Sequence, residues 1–285
     1  MVTGAAGMLG HAVVPLLRAR GHETLALDLA EADVTDFAAL QRRADTFRPD
    51  WVAHLAALTN VDGCESETGK ALRVNGEGAG NAARAAAGVG ASVMLVSTDY
   101  VFDGSGSMPW RETDAASPLS AYGRSKLAGE VAVREADEKH LIVRTAWLFG
   151  AGGRNFVDTI LAKARQSGPL KVVDDQRGTP TWTGHFAAAI TRLMESGAGG
   201  TWHVTNSGEA TWHDLAVAAC EDAGVKAEIG RQSSAELGRP AGRPAFSVLD
   251  NGKFVAFAGS PLPHWRDGLR RHLAGQTASE QGGVG

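Results

Sequence analysis

Val2-Thr3-Gly4-Ala5-Ala6-Gly7-Met8-Leu9-Gly10 opens the sequence with three glycines at three-residue spacing, set between an apolar start and a run of helix period. Gly4 permits a tight turn, Gly7 lets a phosphate approach the backbone, and Gly10 lets helix and strand pack closely. The helix N-terminus then offers free N–H groups and a partial positive charge to a pyrophosphate. Any tight strand–helix turn can use glycine, so the surrounding pattern has to decide. Only Met1, Val2 and Thr3 precede Gly4, which predicts a short first strand with reduced pairing in the central sheet.

Downstream, apolar runs at 24–27, 51–56, 93–97 and 141–147 alternate with helix-period segments at 9–20, 37–47, 70–87 and 121–135. Strands alternating with helices predict an α/β fold, a Rossmann-type doubly wound parallel sheet covered on both faces. Val93-Met94-Leu95-Val96 is continuously apolar, as a strand buried on both sides should be. The second half is less regular. Helices are expected at 155–166 and 185–195, and strands near 170–173 and 201–205. Thr211 with Asp214 reads as a capping pair ahead of a helix over 215–223. Two Arg-Pro steps mark 239–244 as loop. Residues 1–150 are expected to form the dinucleotide-binding domain, and 151–275 a smaller C-terminal α/β part with some segments returning to the first sheet. The polar, glycine-rich stretch 276–285 reads as a disordered tail.

The 285 residues suffice for one large or two modest domains. A net charge of −4 supplies no basic field, which argues against nucleic acid as a partner. No stretch approaches the about 20 apolar residues that span a bilayer, and no signal-peptide pattern opens the chain. Cys64 and Cys220 belong to no CxxC pattern and read as reduced thiols of a cytoplasmic protein.

Asp28 closes the second apolar run. A carboxylate there can accept hydrogen bonds from the adenosine ribose and should repel a 2′-phosphate, which tilts the expected cofactor toward NADH over NADPH. A solvated strand-end carboxylate would look the same. Asp33 and Val34 lie where the chain can reach adenine, and the small side chains of Ala56 and Ala57 let a dinucleotide lie against the backbone.

Tyr122-Gly123-Arg124-Ser125-Lys126 places a phenol and an ammonium on one helix face. Free tyrosine, with a pKa of about 10, transfers its proton sluggishly at neutral pH; a nearby cation lowers that pKa. The phenol can then protonate a carbonyl oxygen as hydride arrives. A surface pair has the same spacing, but only two tyrosines exist in the chain and a glycine fingerprint lies upstream. Thr98 follows the apolar run 93–96, at the carboxyl end of a parallel strand, where open α/β sheets place ligands. Its hydroxyl can orient a substrate carbonyl; capping the next turn is the alternative.

Together these pieces resemble the extended short-chain dehydrogenase/reductases, and more closely the dTDP-4-dehydrorhamnose reductase family. The glycine loop carries the resemblance with Ala56-Ala57-Leu58-Thr59-Asn60-Val61-Asp62, Ser97-Thr98-Asp99-Tyr100-Val101-Phe102, Tyr122 to Lys126, Arg144-Thr145-Ala146-Trp147 and Asp175-Gln176-Arg177-Gly178-Thr179-Pro180-Thr181. It covers nearly the whole chain apart from the tail. It implies reduction of the 4-keto group of a dTDP-4-dehydro-6-deoxy sugar by NADH or NADPH, the last step of dTDP-L-rhamnose synthesis. Thr98, Tyr122 and Lys126 are then catalytic. Gly4, Gly7, Met8, Leu9, Gly10, Asp28, Asp33, Val34, Ala56, Ala57, Leu58 and Thr59 join Tyr122 and Lys126 around the cofactor. Val61, Thr98, Asp99, Tyr100 and Trp147 face the sugar nucleotide, and Arg243 is a candidate for its diphosphate. The part 151–275 becomes mainly the sugar-nucleotide side.

Tyr100 stands where related 4,6-dehydratases carry the second member of an acidic pair, which argues against dehydration. Some relatives hold Mg²⁺ at a dimer interface through glutamates; the matching position here is Ala12, so no metal is expected, and the chain is expected to act as a monomer or homodimer. His11, His54, His203 and His213 show no close ligand spacing. Two other readings stay open. One is a reductase or epimerase for another nucleotide sugar, for instance of dihydrostreptose type. The other is a non-catalytic regulatory subunit, against which the presence of Tyr122 and Lys126 argues.

Overall fold

In this computed structural model the described residues are 1–282 except 138 and 167, with side chains as far as 276. Strands β1 (Val2–Thr3), β2 (Ala26–Leu27), β3 (Trp51–His54), β4 (Ser92–Thr98) and β5 (Leu141–Thr145) join Gly200–His203 in one six-stranded sheet. The order is Gly200–His203, β5, β4, β3, β1, β2, and every pairing is parallel. The chain leaves β1 toward β2 and then returns to the other side of β1 as β3. The carboxyl ends of β1 and β3 therefore flank the point where the strand order reverses, the usual ligand crevice of such sheets. The Rossmann-type α/β expectation holds.

The alternation of side chains along each strand divides the core into two layers. Val93 and Leu95 of β4, with Ile142 of β5, pack against Leu40, Ala82, Ala86 and Val133 from the helices Phe37–Phe47, Gly78–Ala87 and Ala121–Ala136. Met94, Leu141 and Val143 face the opposite way, onto Val13, Phe186, Ile190 and Leu193 from Met8–Ala19 and Thr183–Glu195. A third cluster joins Val157 and Leu161 to Leu215, Ala219 and Leu269. It belongs to the second half, while Gly200–His203 returns to the main sheet beside β5.

Although β1 has two residues, both pair on either side: Val2 with Ala26 and Ala53, Thr3 with Leu27 and His54. The Met1 amino group adds a bond to the Trp51 carbonyl at 2.9 Å. The run expected as strand at 24–27 pairs only at Ala26–Leu27. The expected helix 70–87 is interrupted by a π-helical turn, Leu72–Glu77. Within that turn the Asn75 side chain accepts from the Leu58 N–H at 2.7 Å and donates to the Leu58 carbonyl at 3.0 Å. It thereby pins the loop after β3, and such turns often mark functional sites. A helix at Val61–Ser66, N-capped by Asn60, was not anticipated. The expected capping pair is present: Thr211 and Asp214 form a reciprocal capping box on Trp212–Asp222. The expected disordered tail at 276–285 needs correction at its start. The last helix runs Trp265–Gly282, and Gln276 is tied to Asp158 by a hydrogen bond; residues 283–285 lie outside the described residues.

Candidate active site

A cleft of about 1130 Å³ opens along the carboxyl ends of β1, β3 and β4. Gly4, Gly7, Met8, Leu9 and Gly10 form one wall, with Asp28, Asp33 and Val34 at the same end. The backbone geometry explains the glycines. Gly4 has φ +67°, and a Cβ there would meet the Ala56 backbone at 2.6 Å. A Cβ on Gly10 would sit 2.2 Å from the Ala5 carbonyl oxygen. The loop thus lies directly on Ala56, and Ala56, Ala57, Leu58 and Thr59 line the cleft beside it. Asp28 braces this loop: Oδ2 accepts from Ala6 N–H and Oδ1 from Leu29 N–H, both at 2.8 Å. Each carboxylate oxygen keeps lone-pair capacity for a ribose hydroxyl.

Thr98, Asp99, Tyr122 and Lys126 line the other end of the cleft. Thr98 ends β4, and Tyr122 and Lys126 sit in the first turns of Ala121–Ala136, which Ser120 caps through Gly123 N–H. Gly123 sets the approach of this helix, because a Cβ there would meet the Tyr100 carbonyl oxygen at 2.2 Å. The Tyr100 and Tyr122 rings consequently meet edge to face with centroids 5.9 Å apart. Lys126 is 4% exposed. Its burial lowers the ammonium pKa to about 8, against the raising effect of Glu130. Burial pushes the Tyr122 phenol up, while the facing Thr98 hydroxyl pulls it down. Here the structure departs from the sequence expectation that Lys126 sets the phenol low: in the protein alone, loss of solvation outweighs the neighbours. His54, at the end of β3, is held neutral by burial and by Lys126, with its pKa lowered to about 3.

Behind the end of the cleft that holds Thr98, Tyr122 and Lys126 lies a buried ion network. Glu130, one turn beyond Lys126, accepts from Ser97 Oγ at 2.6 Å and from Arg144 Nε and Nη2 at 2.8 and 2.7 Å. It fixes the Tyr122 helix to β4 and β5 next to Thr98.

Trp147 also lines the cleft and has φ +47°, a left-handed conformation costly for a bulky residue. It is held there by a parallel stack on Trp212, centroids 3.6 Å apart, and by Gly178, where a Cβ would meet the Trp147 ring at 2.6 Å. Tyr100, Val61 and Arg243 fall outside the cleft lining. Tyr100 borders it through Tyr122, and Arg243 lies against Tyr100. The Arg243 guanidinium is paired with Asp62, Nη1 to Oδ1 at 3.0 Å, and Arg239 reaches the other oxygen at 2.8 Å.

The chain matches the family described as RmlD substrate binding domain over residues 1–277. The chain belongs to this family. A dTDP-4-dehydrorhamnose reductase from Streptomyces griseus is 44% identical over 94% of this chain and 91% of its own length. A dTDP-4-keto-6-deoxy-D-glucose reductase from Streptomyces niveus is 39% identical over 94% of each. Among solved structures, the dTDP-4-dehydrorhamnose reductase of Bacillus anthracis in complex with NADP superposes with a TM-score of 0.93. It is 34% identical over 96% of this chain and 97% of that one.

Several cleft residues of this RmlD-family chain escaped the sequence reading. Lys70, Arg73 and Arg154 bring positive charge to the lining, and Gly152, Gly153 and Trp212 close it from the second half. Lys70 and Arg154 lie in helix-period or loop stretches where a solvated role is equally readable, so no local pattern marks them; Arg73 stands in the run Arg73-Val74-Asn75, which the family resemblance also includes, without a site role. Trp212 did carry a signal, as a large aromatic inside a capping box. Asp174, His213 and Asp214 place three possible ligand atoms within 4.8 Å of one another, which histidine spacing did not suggest. Their partners account for the grouping: Asp174 accepts from Thr211 and Arg231, Asp214 completes the capping box, and His213 Nε2 meets the Ile229 carbonyl.

Proposed function

We propose that this chain reduces the 4-keto group of dTDP-4-dehydro-L-rhamnose to give dTDP-L-rhamnose, with hydride taken from NADH or NADPH. The observation that carries this reading is the convergence of Thr98, Tyr122 and Lys126 at one end of a cleft whose other end is the glycine loop. The names of the relatives supply the sugar nucleotide. Small residues along one wall of the cleft, with Asp28 beside the glycine loop, support a bound dinucleotide there. When bound, the reduced nicotinamide supplies a hydride to the carbonyl carbon.

The chain's own residues do the rest. Thr98 and Tyr122 hold the carbonyl oxygen, and Tyr122 delivers the proton that turns it into a hydroxyl. Lys126, as ammonium, stabilises the phenolate left behind. Trp147 presents a flat face to the sugar, and Arg243, oriented by Asp62, faces the diphosphate with Tyr100 and Val61 on the same side. Residues 1–150 then hold mainly the cofactor and 151–275 mainly the sugar nucleotide. Asp28 favours NADH, since its carboxylate opposes a 2′-phosphate. The reaction is placed in the cytoplasm, in keeping with two free, buried cysteines, and the chain acts as monomer or homodimer. Among the described residues no helix is long and apolar enough to cross a membrane.

The Streptomyces niveus relative favours one second reading, reduction of a different dTDP-4-keto-6-deoxy sugar. A panel of such sugars, with product stereochemistry read by NMR, separates the two. The proposal expects dTDP-L-rhamnose as product and the highest kcat/KM on its keto precursor. A higher kcat/KM on another keto sugar would move the assignment to that sugar.

A further inference from the structure

Resting on the reductase reading, we propose that Asp99 reloads the catalytic acid: its carboxyl passes a proton through the Thr98 hydroxyl to the Tyr122 oxygen after each reduction. Asp99 follows Thr98 directly and begins the 3-10 turn Asp99–Val101. It is 2% exposed. Thr98 Oγ1 donates to Asp99 Oδ1 at 3.0 Å and accepts from Tyr100 N–H at 3.2 Å. The same hydroxyl faces the Tyr122 phenol. Among the described residues Asp99 Oδ2 has no hydrogen-bond partner, and Ser247 lies against the carboxyl from the loop that also carries Arg243.

A buried carboxylate with one oxygen unpartnered is costly, so the site favours the neutral acid. Burial raises the Asp99 pKa to about 7, with Ser247 and Thr98 pulling it down. The titratable groups around it are Tyr100 and Tyr122; Arg243 approaches Tyr100, and Cys64 and Lys126 lie on the Tyr122 side. No cation is among the groups that set the Asp99 pKa. An acid that holds its proton near neutrality therefore stands one hydroxyl away from the phenol.

The balance is simple. In the reduction, hydride carries two electrons to the carbonyl carbon, and the carbonyl oxygen takes the Tyr122 proton, leaving a phenolate and an oxidised nicotinamide. In the reloading step the Thr98 hydroxyl turns from Asp99 Oδ1 to the Tyr122 oxygen and gives it its proton, while the Asp99 proton, carried on Oδ1, moves to Thr98 Oγ1. Asp99 is left as carboxylate and regains its proton from water when product leaves. The route differs in kind from direct reprotonation by solvent, because it makes steady-state turnover depend on Asp99 while the first turnover uses the proton already on Tyr122.

The test compares single-turnover and steady-state rates on dTDP-4-dehydro-6-deoxy-L-mannose with NADH, in wild type, Asp99→Asn and Ser247→Ala. In Asp99→Asn the steady-state rate should fall about tenfold more than the first-turnover rate, giving a burst of one product per site. The fall of kcat with pH near 7 should also vanish. Ser247→Ala removes a hydroxyl that lies against the carboxyl and lowers its pKa, so that fall should move to higher pH. Equal losses in both rates, or a pH profile unchanged in both variants, would overturn the relay while wild-type turnover stood. A wild type that oxidised no NADH with this sugar would instead overturn the reductase reading beneath it.

Discussion

Glu130 and Arg144 form a bidentate pair, Oε1 to Nε at 2.8 Å and Oε2 to Nη2 at 2.7 Å, in a site where Glu130 is fully buried. The pair ties the Tyr122 helix to β5, and Ser97 brings β4 into the same knot. Buried pairs are expensive to break, because the remaining partner is left charged without compensation. Glu130→Gln should therefore lower stability by about 3 kcal/mol in urea unfolding. A loss below about 1 kcal/mol would show that the network is relaxed in solution.

Lys126 supplies a pH prediction. With its pKa held at about 8 by burial, the ammonium is lost as pH rises through that value. The pH profile of kcat/KM reports the free enzyme, so it should fall on the alkaline side near pH 8. Glu130 raises this pKa, so Glu130→Gln should move the fall to lower pH. A profile flat to pH 10 would remove Lys126 from its role.

Asp28 can be tested through cofactor choice. On the proposed NADH preference, Asp28→Ser removes the carboxylate that would oppose a 2′-phosphate. The ratio of kcat/KM for NADPH to that for NADH should rise about tenfold, equivalent to about 1.4 kcal/mol. The variant also gives up the bond to Ala6 N–H, so a few degrees of thermal stability should be lost with it. An unchanged ratio would show that Asp28 only braces the loop.

Asp28, Thr98, Tyr122 and Lys126 show how far the sequence could be read. Asp28 was visible because position alone, at the end of the second apolar run, carries meaning in this fold. Its bond to the glycine loop was not visible, since that depends on how β1 and β2 align. Tyr122 with Lys126 was legible as a spacing, and Thr98 as a strand end, because both follow from local periodicity. The sign of the shift on Tyr122 was not, because desolvation depends on everything packed around the ring. The π-helical turn at Leu72–Glu77 and the left-handed Trp147 also lay beyond local pattern. The first accompanies Asn75 reaching across to Leu58; the second is held by Trp212 and Gly178, both distant in sequence.

Asp62 and Arg243 yield a substrate prediction. Burial works against the Asp62 carboxylate, but hydrogen bonds from Arg243 and Arg239 outweigh it and hold its pKa at about 2. It stays ionised at any working pH and keeps Arg243 oriented. Asp62→Ala should raise KM for the sugar nucleotide about tenfold, about 1.4 kcal/mol of binding, with kcat changed less than about twofold. A large fall in kcat at constant KM would place Asp62 in the chemistry instead.

The central claim, that Tyr122 protonates a nucleotide-sugar ketone as hydride arrives, is tested most directly by NADH oxidation at saturating dTDP-4-dehydro-6-deoxy-L-mannose in wild type and Tyr122→Phe. The account predicts steady oxidation in the wild type and a fall of at least about 100-fold in the variant, with the dissociation constant for NADH unchanged. Equal turnover in the two proteins would contradict it.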